Sequence, residues 1–265
     1  MDVQRRQRHQ DRGAPKEFWT AYLTDRMQTW LEGNNRVTEA ASQRLAQVVT
    51  YDGTGHRSDG SGRVRPSLIG GCVRRQALSF LGVPRVGATP DAVRAAKAMA
   101  GTYGHYRWQA AGLSEGFLTD IEVPLRSKEL GVYGSADGVC DDGSVFELKT
   151  TSPRQYERIQ YGWKPEHAAQ LQAYMYILGA RHGSLVYENR ESCEWTEFRF
   201  TISPRQVQHL VDVIRQVTTS TITNLPDPLP ACKDKKGFDY RYCDWRTVCR
   251  PQGDREGNTS TIKEI

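Results

Sequence analysis

Several things are missing from this 265-residue sequence, and each absence excludes something. No apolar run approaches the roughly 20 residues that cross a bilayer, so a membrane-spanning helix is not expected. The opening residues, Met1-Asp-Val-Gln-Arg-Arg-Gln-Arg-His9, lack the apolar core of a secretory leader, and the expectation is a cytoplasmic protein. There is no internal repeat, which excludes solenoids and propellers. No glycine-rich Walker-type phosphate loop is present, so any nucleotide-driven motor would be a separate chain. Cysteine is sparse at six residues. In a reducing compartment these read as ligands or core residues before disulfides.

Charged residues make up 25% of the chain and hydrophobic residues 38%, the balance of a globular protein with a real core in one large domain or two small ones. The net charge of +5 permits a nucleic-acid partner without requiring one. Its basic residues cluster: Arg5, Arg6, Arg8 and Arg12 form an arm, and Arg63, Arg65, Arg74 and Arg75 a second group. The plainer alternative is a solvated tail and an ordinary charged helix face.

Residues 1–14 read as disordered. The stripe Phe18, Trp19, Tyr22, Leu23, Met27, Trp30, Leu31 predicts a helix over 15–32, ended by Gly33. A second helix is expected over 37–49 and a glycine- and serine-rich loop over 52–65. Ser67 can cap a helix to about Phe80 with Cys72 inside it, and Thr89-Pro90 opens a long helix through 90–112. The period then changes from 3.6 to 2, which predicts strands at 117–125, 130–139 and 144–150. A helix at 165–179, strands at 183–189 and 194–201, and a helix from Ser203-Pro204 to about Asn224 follow. This order implies an α/β protein, a central mixed sheet flanked by helices.

The most informative stretch is the hairpin around Asp141-Asp142-Gly143. A three-residue loop with glycine in the left-handed position fits it. If Cys140 and Ser144 close that loop, Asp137 stands opposite Glu147, and directly opposed residues share a face. Lys149, two residues on, shares it too. Two carboxylates on one buried face raise one pKa or demand a cation between them. Mg²⁺ and Mn²⁺ take such oxygen ligands, and the backbone carbonyl of Leu148 can add another. A surface salt bridge is the plainer reading of a lone Glu-x-Lys, although Val145, Phe146 and Leu148 argue against an exposed strand.

Gly134-x-x-Asp137 followed by Glu147-Leu-Lys149 resembles the PD-(D/E)XK nuclease signature. Gly101-Thr-Tyr-Gly-His105 is similar to the glycine-and-histidine motif of the RecB-like branch, and Gln170-Leu-Gln-Ala-Tyr174 to its Q-x-x-x-Y motif. Gln172 and Tyr176 also fit that last pattern; Gln170 is preferred because Tyr174 then joins the apolar stripe. The resemblance covers about 67–250. It implies a restriction-endonuclease-like core and a metal-dependent exonuclease acting on single-stranded DNA or DNA ends. His105, Asp137, Glu147 and Leu148 would hold metal, Lys149 would serve the nucleophile, and Gln170 and Tyr174 would position the strand. Arg74 and Arg75 would contact phosphates.

Cys72 early and Cys232, Cys243, Cys249 late resemble the four thiolates that hold a [4Fe–4S] cluster in CRISPR-adaptation nucleases and AddB-type helicase-nucleases. The pattern departs at Tyr240, which stands where a cysteine of the usual close pair would be, and Cys232 is displaced. Zinc is the rival occupant. Cys140 and Cys193 read as structural. The implied organisation is a basic arm and helical region (1–66), a nuclease core (67–225), an iron–sulphur segment packing with Cys72 (226–252) and a flexible tail (253–265). A helicase or recombination partner and an oligomer fit the resemblance, which points to a bacterial cell or phage-infected host. The alternative classes are a DNA-binding or assembly protein on the same fold without turnover, and a metal-stapled module whose chemistry lies in a partner.

Overall fold

A computed structural model describes residues 22–33, 35–53, 62–85, 92–234, 238–241, 243–246 and 248–249. The basic arm and the tail after Arg250 lie outside them, as do the first part of the helix expected over 15–32 and the Thr89-Pro90 cap. Helices α1 (Tyr22–Glu32) and α2 (Glu39–Gly53) come first, then a 3-10 turn (Pro66–Leu68), α3 (Val73–Phe80) and the long α4 (Ala92–Glu115). Strands β1 (Leu118–Ser127), β2 (Val132–Cys140) and β3 (Val145–Thr151) follow. After α5 (Pro153–Ile159) and α6 (Pro165–Leu178) come β4 (His182–Asn189), β5 (Trp195–Thr201) and α7 (Pro204–Thr218). A 3-10 turn (Pro230–Lys233) and the four-residue α8 (Phe238–Arg241) carry the chain to the late cysteines.

The sheet has the order β1-β2-β3-β4-β5. β3 and β4 run parallel and the other neighbours antiparallel. A parallel pair needs a crossover, supplied by α5 and α6. On one face Phe146, Leu148 and Val186 pack under α4 and α1, against Trp108, Ile121, Leu23 and Met27. On the other, Val145, Leu185 and Tyr187 pack under α6 against Leu171, Tyr174 and Met175. α7 and the bridge between Val64 and Val132 close a third cluster around Ile214 and Val217.

The strands lie within two residues of their expected ends, and four differences have physical causes. Ser67 lies in the 3-10 turn and Cys72 occupies the N-cap position of α3 instead of its interior. Pro153 starts α5, a short helix the periodicity passes over. α7 stops at Thr218 where a Thr/Ser run begins, and Thr221–Asn224 form a small bridged turn. The expected loop over 52–65 is helical to Gly53, and Val64 pairs with β2.

Candidate active site

The hairpin closes as its sequence requires. Cys140 N–H donates to Ser144 O at 2.8 Å, and Gly143 takes the left-handed conformation at φ +77°. Pairing runs Val139 with Val145 and Gly138 with Phe146, then ends one step short of Asp137 and Glu147. There the Asp137 carboxylate replaces the ladder: its Oδ2 accepts the Leu148 N–H at 2.7 Å. The strands therefore part at Asp137. In a strand one residue's N–H and C=O point the same way, so the Leu148 carbonyl faces this split as well.

Six residues singled out from the sequence converge here. His105, from α4, places Nδ1 3.2 Å from Asp137 Oδ1. Lys149 Nζ lies 2.5 Å from Glu147 Oε1 and donates to Gln170 Oε1 at 3.0 Å. Gln170 Nε2 donates to Glu147 Oε1 at 2.7 Å and to the Tyr174 hydroxyl at 2.6 Å. The amide can have only this orientation, carbonyl toward the ammonium and NH₂ toward the carboxylate. Since the Tyr174 oxygen accepts from Gln170, its own proton remains available to donate. The alternative register is excluded from the site: Gln172 donates to Thr201 O at 3.1 Å and accepts Ser203 N–H at 3.0 Å, and Tyr176 is exposed.

A seventh residue escaped the sequence reading. Glu122 on β1 sits within 4.8 Å of His105 and Asp137, ligand atom to ligand atom. Gln109 Nε2 donates to its Oε1 at 3.0 Å and Ser135 Oγ to its Oε2 at 2.9 Å. Glu122 has φ +46°, a strained value for a residue other than glycine, in a strand whose register shifts between Leu118 and Asp120. The strain aims a carboxylate that simple alternation among Ile121, Val123 and Leu125 would hide.

The electrostatics follow from three carboxylates facing two cationic groups. Burial, then Asp137, pushes the Glu147 carboxyl up to about 7. Burial and Asp137 also raise Glu122. For Asp137 burial works the other way, but the opposing His105 and Lys149 hold it below the usual carboxylate range. His105 loses basicity by burial and regains more from Asp137, reaching about 9. Lys149 is likewise raised, by Glu147 and Asp137 against burial, and stays an ammonium. Glu147 Oε2 is buried with no hydrogen-bond partner among the described residues. An orphaned carboxylate oxygen in an acid-rich pocket is what a hard divalent cation would satisfy.

The site opens into a cleft of about 900 Å³ whose walls carry Arg44, Arg63, Arg65 and Arg126. Arg44 comes from α2, so the N-terminal helices build part of this wall; its guanidinium is held by Asp120 Oδ1 at 3.0 Å and Ile121 O at 3.1 Å. Arg63 stacks on Tyr133, 5.2 Å from the ring centre. Arg74 behaves differently from expectation. It is buried and donates to Pro226 O at 3.1 Å, so it faces the C-terminal segment instead of an outer phosphate. Arg75 is half-buried, its Nε without a partner among the described residues.

Cys72 stands at the N-cap of α3, and Cys232, Cys243 and Cys249 lie near enough to it for their charges to interact. Burial raises Cys249 to about 11, with Cys72, Cys243 and Cys232 adding to the rise and Arg74 opposing it. Burial, then Cys72 and Cys243, raises Cys232. Cys140 is buried in the core and Cys193 is exposed on a turn.

The fold and this site define an α/β protein with a five-stranded mixed sheet, flanked by helices and split at an acid, acid, lysine cluster. No family model and no curated relative matches the chain. Among solved structures, SSO0001 superposes with a TM-score of 0.51 at 16% identity, over 78% of this chain and 95% of that one, a likeness of fold. An alkaline exonuclease of Laribacter hongkongensis, LHK-Exo, superposes at 0.46 and 15% identity, over 60% and 87%. A phage-related exonuclease of Haemophilus somnus 129PT does so at 0.39 and 11%, over 59% and 93%.

Proposed function

We propose that the chain is a metal-dependent deoxyribonuclease of the PD-(D/E)XK type, acting as an exonuclease on single strands or DNA ends. The observation that carries this is one hydrogen-bonded cluster: Asp137, Glu147, Lys149 and Gln170, with His105 against Asp137, at the floor of an arginine-walled cleft. His105, Glu122, Asp137, Glu147 and the Leu148 carbonyl would hold Mg²⁺ or Mn²⁺. Such an ion polarises a phosphoryl oxygen and lowers the pKa of a bound water. Lys149, kept protonated by two carboxylates in the metal-free site, would stabilise the charge that develops on the phosphate. Gln170 fixes Lys149 and Glu147 against each other, and the Tyr174 hydroxyl at the cleft wall keeps a proton it can donate. The cleft arginines hold the flanking phosphates. A protein that only bound DNA would have no need of an ammonium locked between a carboxylate and an amide.

We further propose that Cys72, Cys232, Cys243 and Cys249 hold a [4Fe–4S] cluster that ties the C-terminal segment to α3, with zinc as the rival. What supports it is that Cys72 and Cys243 both add to the rise that burial imposes on the Cys232 and Cys249 thiols. Four such groups become thiolates together only around a cation. Iron and sulphide analysis of anaerobically purified protein separates the two. The nuclease is tested by incubating labelled single- and double-stranded DNA with Mg²⁺ or Mn²⁺, beside Lys149→Ala. Degradation by the wild type alone is expected; equal degradation by both sinks the site assignment, and none by either favours a binding protein.

A further inference from the structure

The carboxylates are reached from two sides. Lys149 lines the arginine cleft, whereas Thr150 lines a second cavity of about 550 Å³, and successive strand residues point to opposite faces of a sheet. His105, Glu122 and Asp137 border both cavities. The acids therefore sit at a waist, where β2 and β3 part, between a cleft on the α6 face and a cavity on the α4 face. The second cavity is also basic. Lys97 and Thr102 enter it from α4 and Arg190 from the residue after β4. Arg190 Nε is buried without a hydrogen-bond partner among the described residues, a donor that nothing yet uses. Gly101 keeps the space open: a Cβ there would lie 3.2 Å from Thr150 Oγ1, and one at Gly104 would lie 2.8 Å from Thr150 Cγ2. Glycine weakens a helix interior by about 1 kcal/mol relative to alanine. Two of them facing Thr150 mark a place where the helix must come close while a gap survives.

We propose that this second cavity is a nucleotide-phosphate subsite on the far side of the scissile bond, bound by Lys97, Arg190 and the Thr102 and Thr150 hydroxyls. The inference rests on the nuclease reading. A polyanion whose scissile phosphate lies at the carboxylates must place neighbouring phosphates on both sides of them, and a basic group waits on each side. The volume suits a small polar ligand, for which sites run from about 300 to 1,000 Å³. The cavity would take either the released mononucleotide or the strand that continues past the cut.

The test measures thymidine 5′-monophosphate binding by calorimetry to the wild type, to the double variant Lys97→Gln/Arg190→Gln and to Gly101→Ala. It also measures cleavage of labelled oligothymidylate with Mg²⁺. Both variants should lose mononucleotide affinity by about tenfold or more, one charged contact being worth at least that, with unchanged melting temperatures. Gly101→Ala fills the gap without removing charge, so agreement of the two excludes a general charge effect. Oligothymidylate bound as tightly as the monophosphate marks a passing strand; weaker binding marks a product pocket. Unaltered monophosphate affinity in both variants overturns the subsite, even if the wild type cleaves DNA. If the wild type does not cleave but its monophosphate binding depends on Lys97 and Arg190, the nuclease reading fails and the subsite stands.

Discussion

The carboxylate site and the cysteine group are built in opposite ways. Asp137, Glu147 and Lys149 come from one hairpin, and each is fixed by hydrogen bonds to Leu148, Gln170 or one another before any ligand arrives. The thiols come from Cys72 and from a late segment of short turns and one four-residue helix. Burial, with the neighbouring thiols adding to it, discourages ionisation of Cys232 and Cys249. A prepared site uses its ligand for chemistry, whereas a site that is strained without its ligand uses it for structure. Removing a residue from the first should abolish turnover and spare the fold. Removing one from the second should do the reverse.

The largest effect is expected for Lys149→Ala, about 10³-fold in the rate of DNA cleavage, the scale of losing one charge-stabilising group. Circular dichroism should show an unchanged melting transition within a few degrees. Loss of the fold instead would make the hairpin a structural salt bridge and erase the contrast. Next comes Cys243→Ser. It should empty the cluster and cost roughly 2–4 kcal/mol, by the logic of removing a crosslink between distant parts of the chain. Metal content and thermal unfolding read this out, and full stability in a metal-free variant would break the comparison from the other side.

Glu122→Gln is the third case. As a ligand its loss should weaken Mn²⁺ affinity at least about tenfold, measured by paramagnetic resonance titration. If Glu122 only accepts from Gln109 and Ser135, the amide would leave affinity unaltered. Proton linkage supplies a related check. His105 is held protonated to about 9 in the metal-free protein, mainly by Asp137 acting against burial. Its folded pKa is raised above the ordinary 6.5, so it adds stability that is complete below 6.5 and is lost as pH rises through about 9. A cation must expel that proton, so metal affinity should rise about tenfold per pH unit below 9. His105→Gln should flatten both profiles, and a wild type with flat metal affinity between pH 7 and 9 would remove His105 from the ligand set.

Much of the site was legible because it is local. The turn Asp141-Asp142-Gly143 fixes the hairpin register, and the register alone sets Asp137 beside Glu147 and Lys149. Pro165 and Gly179 likewise mark the ends of α6, where Gly179 adopts φ +70°. Glu122 was not legible, because its positive φ re-aims the strand locally, placing Ile121 and Leu125 in different core clusters, and no glycine in β1 announces the change. The signal for α5 was present and passed over: Ser152-Pro153 repeats the cap-and-proline start read at Ser203-Pro204. That Arg74 turns inward depends on Pro226, far along the chain, and no local pattern announces it.

The smallest expected effect separates the two glutamines of α6. Their spacing in sequence fits one motif in two registers, and an apolar stripe decides between them only weakly. In the fold they face different neighbours. Gln170 bridges Lys149 and Glu147, whereas Gln172 ties α6 to the end of β5 and the start of α7 through Thr201 O and Ser203 N. Gln172→Ala leaves a half-buried carbonyl and a half-buried N–H without this partner, at about 1 kcal/mol of stability, and should leave cleavage at the wild-type rate. Gln170→Ala should instead lower the rate, at a stability cost no smaller than that of Gln172→Ala, because it removes bonds to Lys149, Glu147 and Tyr174. Each variant therefore needs both measurements. Equal loss of activity in the two would mean that α6 acts only as a scaffold, and that the site extends no further than the hairpin and His105.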